Sequence, residues 1–307
     1  MESAPPPRVA ILLSTYNGAR YLPAQLESLL EQTVREWVLY WRDDGSRDET
    51  VAILETFAAR AGAGRCVPVR EPGHLGVTGS FMALLRAATP AGLPVAFADQ
   101  DDIWLPGKLA QALAALEPEC SPALYCCRQK LVSEDLQPLG ESAALLRPPC
   151  FPAALTQNIA TGCTVVLNPA AAALVARSRP PGGSLHDWWS YLLVTAAGGR
   201  VIADPTPMVL YRQHGGNLVG APRSMAQRAR AAIERGPGVF MGVLRQHVTA
   251  LLAQENLLAP EHAAVLRTLD RGLSDGWLAR LRALCVPGLY RQTWQETALF
   301  RWWFLIG

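Results

Sequence analysis

The segment PVAFADQDDIWLP, residues 94–106, changes from apolar to acidic within a few positions. An apolar run over residues 95–98 leads into three carboxylates, at Asp99, Asp101 and Asp102. Residues two apart on an extended chain point to the same side, so Asp99 and Asp101 should lie ~6–7 Å apart. Their charges would repel by about 2–3 kcal/mol at an effective dielectric constant near 20. A divalent cation would offset this repulsion, and an acidic turn satisfied by solvent or backbone amides is the alternative.

Short apolar runs alternate with segments of helical periodicity on both sides of this stretch. The runs are VAILLST (9–15), WVLYWR (37–42), CVPVR (66–70) and PVAFA (94–98). Helices are predicted after them, over 22–30, 46–58, 79–89 and 106–116, the second with a capping box from Ser46 and Glu49. This alternation predicts an α/β fold with a mostly parallel sheet and helices on both faces.

The alternation loosens after residue 120. We expect one or two strands over 123–132, a strand over 161–168 entered through Gly162, a helix over 186–199 ended by glycines, and two strands broken by prolines over 200–217. Residues 219–307 are basic and helical, with a net charge of +5, whereas the rest of the chain carries −3. We therefore expect a catalytic domain at 1–220 and a helical region at 221–307.

Composition narrows the class of protein. The overall net charge of +2 argues against a general nucleic-acid binder. Seven cysteines without a C-x-x-C spacing indicate free thiols in a reducing cytoplasm. The first ten residues lack the pattern of a signal peptide. Residues 148–176 are uncharged, but Pro, Asn, Gln and Thr interrupt them, so they do not predict a membrane span.

Polar clusters follow three of the predicted strands, at residues 14–17, 43–46 and 99–102. Ligands of parallel α/β sheets bind at the carboxyl ends of the strands. These clusters and several later motifs, in this order, resemble the family 2 glycosyltransferases of bacteria, and in particular the rhamnosyltransferase-like branch that builds surface polysaccharides such as O-antigen. The matching stretches, within residues 9–220, are LLSTYNGARYLPAQLESLLEQT, WRDDGSRDET, LGVTGSF, FADQDDIWLPGKL, TGCTVVLN, HDWW and YRQHGGN.

The resemblance implies an A-type glycosyltransferase fold, a nucleotide-sugar donor, a divalent Mg²⁺ or Mn²⁺ ion and inversion at the anomeric carbon. L-rhamnose from dTDP-rhamnose is the donor that it favours, and a glycan or lipid-linked glycan is the acceptor. The alternatives are a UDP-hexose donor, or a nucleotide-sugar-binding scaffold without catalysis.

The resemblance also assigns roles around the metal. Asp101 of the Asp-x-Asp element is a metal ligand, Asp99 lies nearer the sugar or ribose, and His214 is a further ligand. A guanidinium suits phosphate oxygens, so Arg212 is expected to pair with the diphosphate. For Asp102, a role in capping the next helix and a catalytic role both stay open.

Asp43 and Asp44 fit a nucleotide-base site, because a carboxylate accepts the ring N–H of uracil or thymine. Thr15 and Tyr16 would flank the same base, and a simple turn is the alternative reading. Further candidates for the donor pocket are Asn17, Gly76, Gln100 and Asn158.

Asp187 is the expected general base, which takes the proton of the acceptor hydroxyl; capping of the following helix is its alternative. His186 would orient Asp187 or contact the donor. Three tryptophans, Trp104, Trp188 and Trp189, would form either an acceptor wall or part of the core.

The tail combines basic residues with tryptophan and leucine. Such a composition suits a helix that lies on an anionic bilayer. A helical bundle that covers the catalytic domain and a contact in a homodimer are the alternatives. We expect a cytoplasmic protein, with peripheral contact to the plasma membrane in the first case.

Overall fold

The computed structural model describes residues 6–215 and 225–307, with side chains up to residue 215 and from residue 236 onward. The last residues of the YRQHGGN motif and the expected domain boundary at residue 220 lie outside this part. The strands are β1 (Val9–Thr15), β2 (Trp37–Asp43), β3 (Cys66–Pro68), β4 (Val95–Ala98), β5 (Ile103–Trp104), β6 (Ala123–Val132), β7 (Pro138–Glu141), β8 (Val166–Leu167) and β9 (Arg200–Arg212). The helices are α1 (Leu22–Leu30), α2 (Thr50–Ala61), α3 (Gly76–Ala88), α4 (Lys108–Leu116), α5 (Pro169–Ala176), α6 (His186–Ala196), α7 (Met225–Leu252), α8 (Pro260–Ser274), α9 (Trp277–Leu284) and α10 (Trp294–Ile306).

Among the described residues these strands form one sheet in the order β3-β2-β1-β4-β8-β6-β9-β5, and β7 pairs with β6. The first four strands run parallel, as the alternation of runs and helices predicts. Beyond β4 the sheet is mixed, since β8 is antiparallel to both β4 and β6, and β6 is parallel to β9. Strand direction depends on how the connection crosses the sheet, which the residue pattern of a strand does not reveal.

Helices cover both faces of the sheet. Successive side chains of β1 point to opposite faces, and residues 9–13 are all fully buried. Val9, Ile11 and Leu13 pack with α1, α2 and α4 on one face. Ala10 and Leu12 belong to a larger cluster on the other face, with α3, α5, α6 and the C-terminal helices. The expected helices on both faces are therefore present, and the carboxyl ends of β1, β2 and β4 open at one edge.

Three local expectations are wrong in detail, and a fourth, which left one or two strands open over 123–132, is decided in favour of one. No capping box forms at Ser46, because α2 begins at Thr50 and the Ser46 hydroxyl donates to Asp43 instead. Residues 161–165 are mostly a 3₁₀ turn, and only Val166–Leu167 form a strand. Residues 123–132 are a single strand, β6. Residues 200–212 are also one strand, β9, in which the register against β6 shifts near the prolines without ending the pairing.

The C-terminal helices pack on the α6 side of the sheet. Met241, Leu244 and Val248 of α7 belong to the same buried cluster as α6, together with residues of α8 and α10. Within the described residues, no helix has both the length and the apolar character that are needed to cross a bilayer.

Candidate active site

The three polar clusters meet at the edge where β1, β2 and β4 end. Thr15 Oγ1 donates to Asp43 Oδ1 at 3.0 Å, which joins the ends of β1 and β2. Gln100 joins β1 to the loop after β4, because its side chain accepts from Tyr16 N at 2.9 Å and donates to Tyr16 O at 3.1 Å. Both ends of the Gln100 amide are thus used by backbone. Gln100 therefore positions the two loops against each other.

Asn17 has a similar bridging function. Its backbone has a positive φ of 47°, its N–H donates to Ser46 Oγ at 2.8 Å, and its Oδ1 accepts from Arg47 N at 2.9 Å. These bonds hold the 14–17 loop against the 43–46 loop. The side chain of Asn17 is therefore committed to the wall of the site.

Asp43 lies partly buried at the end of β2. Its Oδ1 accepts from the hydroxyls of Thr15 and Ser46, and its Oδ2 accepts from the backbone N–H groups of Gly45 and Ser46. A carboxylate offers about four acceptor sites, so these bonds fill them. Two of the four donors are hydroxyls that rotate freely, and a base N–H can replace one of them without moving the backbone.

Asp44 is buried and pairs with a buried arginine. Arg42 Nη1 lies 2.5 Å from Asp44 Oδ1, and the two side chains are 1% and 4% exposed. Asp44 also accepts from Leu75 N at 2.7 Å and from Gly76 N at 2.8 Å. Burial alone raises the pKa of Asp44, but the hydrogen bonds from Arg42, Leu75 and Gly76 outweigh it and hold the pKa below its usual range. Asp44 and Gly76 thus secure the start of α3.

Arg42 extends this arrangement to the loop between β3 and α3. Its Nη2 donates to Glu71 O at 3.1 Å and to Gly73 O at 2.6 Å. This loop forms one side of a pocket of ≈ 520 Å³. The lining residues are Tyr16, Asp43, Asp44, Gly45, Arg47, Glu71, Gly73 and His74. A pocket of this volume, next to an exposed aromatic ring such as Tyr16, accommodates a nucleoside.

Asp101 faces His214 across the mouth of the site. Asp101 Oδ2 lies 2.8 Å from His214 Nε2, and the imidazole packs on the Tyr21 ring with centroids 4.8 Å apart. Arg212 also lies over the Tyr21 ring and donates from Nε to Asp101 O at 2.9 Å and from Nη1 to Glu134 O. Its guanidinium is directed at backbone carbonyls, so Arg212 holds the Asp101 loop in place.

The Asp101–His214 pair fits a divalent cation. Neighbouring ligands of an octahedral ion with ~2.1 Å bonds lie ~3.0 Å apart, close to the observed 2.8 Å. A carboxylate oxygen with an imidazole nitrogen is a donor set that suits Mn²⁺. Asp101 and His214 side chains are 20% and 12% exposed, so the pair is open to solvent on one side.

A second group of ligand-type atoms lies deeper. Single ligand atoms of Asp99, Asp102 and Cys163 lie within 4.8 Å of one another. Burial, followed by the charges of Asp102 and Asp99, raises the pKa of the Cys163 thiol well above its usual value, so the thiol stays protonated. A protonated thiol is a poor metal ligand. Among these groups, Asp101 and His214 are therefore the better candidates to hold a cation.

Asp99 connects the two groups electrostatically. Burial and then the charges of Asp101 and Asp187 raise its pKa to about 7. Asp102 is fully buried, accepts from Arg212 N at 3.1 Å and has a pKa well above its usual value, because of burial and the charges of Asp101 and Asp99. Helix α4 begins at Lys108 without a side-chain cap. Asp102 thus does not cap this helix, contrary to one of the two expectations.

Asp187 occupies the first turn of α6 and is almost fully buried. Its Oδ2 accepts from Gly162 N at 3.0 Å and its Oδ1 from Trp188 N at 2.6 Å. Burial raises its pKa to about 6, against the opposing effect of hydrogen bonds from Trp188, Gly162 and the Asn158 side chain. The bond to Trp188 N has the character of an N-terminal cap. The raised pKa suits a group that takes up a proton near neutral pH.

His186 lies in an aromatic environment. Its ring stacks on Phe81 with centroids 3.8 Å apart, and Phe97 meets it edge-on. Burial lowers its pKa to about 3, so the imidazole is neutral at physiological pH. Neither ring nitrogen has a hydrogen-bond partner among the described residues. A Cβ at Gly162 would lie 3.0 Å from His186 Nε2 and 3.7 Å from Asp99 Oδ2, so the glycine leaves space where these groups meet.

The three tryptophans do not form a common wall. Trp104 and Trp189 are 1% and 0% exposed and belong to the cores on opposite faces of the sheet. Trp188 is partly buried, and its Nε1 donates to Ala154 O at 2.8 Å. Trp104 and Trp189 are therefore core residues, the second of the two readings.

Sequence reasoning missed several residues of the site. Arg47, Glu71 and His74 line the pocket, but they stand in exposed loops without a distinctive pattern. Arg42 had a usable signal, because an arginine in a buried strand requires a partner. Lys108 is fully buried near Asp99 and Asp102, with its Nζ 3.3 Å from the centroid of the Trp104 ring. A lysine at the start of a helix is usually exposed to solvent, so the sequence did not indicate that Lys108 is buried.

The family profile of "Glycosyl transferase family 2" matches residues 10–166, just over half of the chain. The chain therefore belongs to glycosyl transferase family 2. The dTDP-rhamnosyl transferase RfbG of Shigella flexneri is 26% identical over 220 residues, which cover 68% of this chain and 74% of RfbG. An uncharacterized glycosyltransferase of Nostoc sp. strain PCC 7120 is 33% identical over 110 residues, 36% of this chain, and this chain spans only a third (33%) of that relative.

Solved structures show the same fold. The complex of S. aureus TarS 1-349 with UDP-GlcNAc has a TM-score of 0.59 at 16% identity, over 90% of this chain and 78% of that chain. The mannosyltransferase PcManGT of Pyrobaculum calidifontis, in complex with GDP-Man and Mn²⁺, has a TM-score of 0.51 at 17% identity, over 98% of this chain and 86% of that chain. At these identities the likeness concerns the fold alone, which is the expected A-type glycosyltransferase fold with C-terminal helices.

Proposed function

We propose that the protein is an inverting, metal-dependent glycosyltransferase that moves a sugar from a nucleoside diphosphate to a glycan or lipid-linked glycan in cell-surface polysaccharide synthesis. The observation that carries the proposal is the convergence of Asp99, Asp101, His214 and Asp187 beside a pocket of nucleoside size. We place the protein in the cytoplasm, because all of its cysteines are free thiols.

The nucleotide would occupy the pocket with its base beside Tyr16. Asp43 is the better acceptor for a pyrimidine N–H, because the hydroxyls of Thr15 and Ser46 can turn away from it. Asp44 is held by Arg42 and by two backbone N–H groups, and so shapes the pocket without bonding the base.

Asp187 would act as the general base. Its oxygens accept the backbone N–H groups of Gly162 and Trp188, and the Asn158 side chain donates to it as well. The hydroxyl of the acceptor would use a remaining lone pair or take the place of Asn158. As Asp187 takes the proton, the acceptor oxygen attacks the anomeric carbon from the side opposite the diphosphate. The bond from that carbon to the diphosphate breaks, and the configuration inverts.

Asp101 and His214 would hold Mg²⁺ or Mn²⁺, which neutralises charge on the departing diphosphate. Arg212 keeps the backbone of Asp101 in position through its bond to Asp101 O. PcManGT, whose complex contains Mn²⁺, supports the choice of a divalent ion.

For the donor we propose dTDP-L-rhamnose. The support is RfbG, which is named a dTDP-rhamnosyl transferase and aligns with two thirds of this chain. A UDP-hexose is the second candidate, because TarS was solved with UDP-GlcNAc and a pyrimidine pocket accepts uracil as well as thymine.

Calorimetric binding of dTDP, UDP and GDP, each with and without Mg²⁺ or Mn²⁺, tests the donor. Metal-dependent binding that favours dTDP supports the rhamnosyl proposal, and a preference for UDP moves the donor to a UDP-hexose. Absence of binding to all three would contradict a nucleotide-sugar enzyme.

Two variants separate metal binding from the proton transfer. Asp101→Asn should lower metal-dependent nucleotide affinity at least ~10-fold, whereas Asp135→Asn, at an exposed position with the same change of charge, should leave it unchanged. Asp187→Asn should retain nucleotide affinity and lose about 10²–10⁴-fold in transfer rate. Turnover of Asp187→Asn near the wild-type rate would refute the assignment of the base.

A further inference from the structure

Helices α9 and α10 carry apolar side chains on their outer surface. We define the C-terminal aromatic face as the exposed residues Trp277, Leu278, Leu281, Trp294, Trp302 and Ile306. The residues Trp277, Trp294 and Trp302 are 67%, 70% and 60% exposed. Large side chains in such number on one pair of helices mark an interaction surface.

The C-terminal aromatic face lies on a different side of α9 and α10 from the side that packs against the rest of the protein. Ala283 of α9 and Phe300, Trp303 and Phe304 of α10 already pack into the core of the protein. Helix α10 is therefore apolar on two sides, although the fold needs only one apolar side. Packing within the chain does not account for the outer side.

The two helices are held together at this surface. Arg280 Nη1 of α9 donates to Leu305 O of α10 at 2.6 Å, and Gly272 lets Ala283 and Phe304 approach α8 closely. The helices that carry the exposed side chains are therefore held in place by contacts with each other and with α8. They are not the fraying end of an isolated helix.

Positive charge accompanies the apolar residues. Residues 276–307 contain four arginines and one acid, Glu296, which is bound to Thr293 in a capping box at the start of α10. Arg282 and Arg301 are exposed on α9 and α10. Arg282 and Arg301 therefore give this face positive charge, which favours an anionic partner.

The positive charge of this face disfavours a second copy of this chain as the partner. A two-fold dimer places the same patch of each copy against itself, so arginines would face arginines. A bilayer with acidic headgroups suits both the apolar side chains and the positive charge of this face. Indole rings and arginine side chains lie at the boundary between headgroups and acyl chains.

We propose that the C-terminal aromatic face docks the protein on the surface of an anionic bilayer, with the tryptophans in the interface and Arg282 and Arg301 against lipid phosphates. The helices lie on the membrane and do not cross it. Docking in this way would bring the proposed transferase to a lipid-linked acceptor. The membrane-binding proposal does not depend on the proposed donor site, so the two can be tested separately.

Co-sedimentation of the full chain with vesicles, without nucleotide, tests the proposal. Binding should be strong to phosphatidylcholine vesicles that contain phosphatidylglycerol, weak to phosphatidylcholine alone, and should decline with added salt. The double variant Arg282→Gln/Arg301→Gln should lower partitioning about 30-fold, roughly fivefold for each arginine. Trp277→Ser/Trp302→Ser should lower it by an order of magnitude or more.

Matched controls have the same chemistry elsewhere on the surface. Arg8→Gln/Arg177→Gln removes two exposed arginines, and Leu139→Ser removes a leucine of β7 that is 44% exposed; both should bind vesicles as the wild type does. Equal loss in these controls, equal binding to both vesicle types, or a dimer that Trp277→Ser/Trp302→Ser dissociates would overturn the proposal. Nucleotide binding by all variants, measured separately, shows whether the donor site is intact.

Discussion

The Asp44→Asn variant should lose about 3–5 kcal/mol of unfolding free energy, the usual cost of removing one partner of a buried ion pair. The substitution leaves the guanidinium of Arg42, 1% exposed, without its carboxylate 2.5 Å away. It also replaces one oxygen that now accepts from Leu75 N or Gly76 N by an amide nitrogen that cannot accept. The start of α3 and the 71–73 loop, which Arg42 holds, should loosen together.

Urea denaturation at pH 7, followed by tryptophan fluorescence, measures this loss. Asp43→Asn is the matched control, because the partners of Asp43 are hydroxyls and amides without a full charge, and it should cost about 1–2 kcal/mol. In Asp44→Asn, a further Arg42→Met substitution should recover part of the loss by removing the stranded charge. A loss below about 1 kcal/mol for Asp44→Asn would refute the reasoning.

The same pair has a pH signature. The pKa of Asp44 is lowered in the folded protein, so its contribution is present above the unfolded pKa of about 3.9 and is lost as the pH falls through the folded value. Wild type should therefore lose stability below about pH 4 more steeply than Asp44→Asn.

Two further predictions concern the catalytic side. A base works when it is deprotonated, so the transfer rate should rise through about pH 6 with the pKa of Asp187 and then level off; a rate that is constant from pH 5 to 8 would contradict this role. Burial lowers the pKa of Lys108 to about 8, and its ammonium lies near Asp99 and Asp102. Lys108→Met should strengthen Mn²⁺ affinity by about tenfold in calorimetry, because it removes a positive charge that repels the cation. It should change the free energy of unfolding by less than about 1–2 kcal/mol, because a buried charge is removed with it. If Lys108→Met bound Mn²⁺ with the same affinity as the wild type across the pH range, the charge of Lys108 would not act on the site.

The approximate positions of the first four strands and of their helices follow from the sequence. Apolar runs of strand length, such as residues 9–15 and 37–42, are buried on both faces, and the pattern of such runs is local. The convergence of the clusters at 14–17, 43–46 and 99–102 also followed, since parallel strands end at the same edge. The assignment of Asp101 and His214 to one metal site rested on the family resemblance and stays a prediction, and the two side chains lie 2.8 Å apart.

Other properties depend on contacts between distant residues. Adjacent aspartates at 43 and 44 have different environments only because Asp44 meets Arg42 and the start of α3, whereas Asp43 meets two hydroxyls. Asp102 and Lys108 are buried because β9 and the 161–165 turn cover them, which their local sequence does not indicate.

The sequence by itself determined the α/β class, the family and the residue types of the site, because these depend on local periodicity and on ordered motifs. Only the tertiary structure decided the antiparallel placement of β8, the pocket built from the 43–47 and 71–74 loops, and which acids are buried. The physical reason is that burial and charge pairing arise between segments far apart in the chain. The exposure of the C-terminal aromatic face likewise depends on the tertiary structure, because the opposite sides of α9 and α10 fill the core.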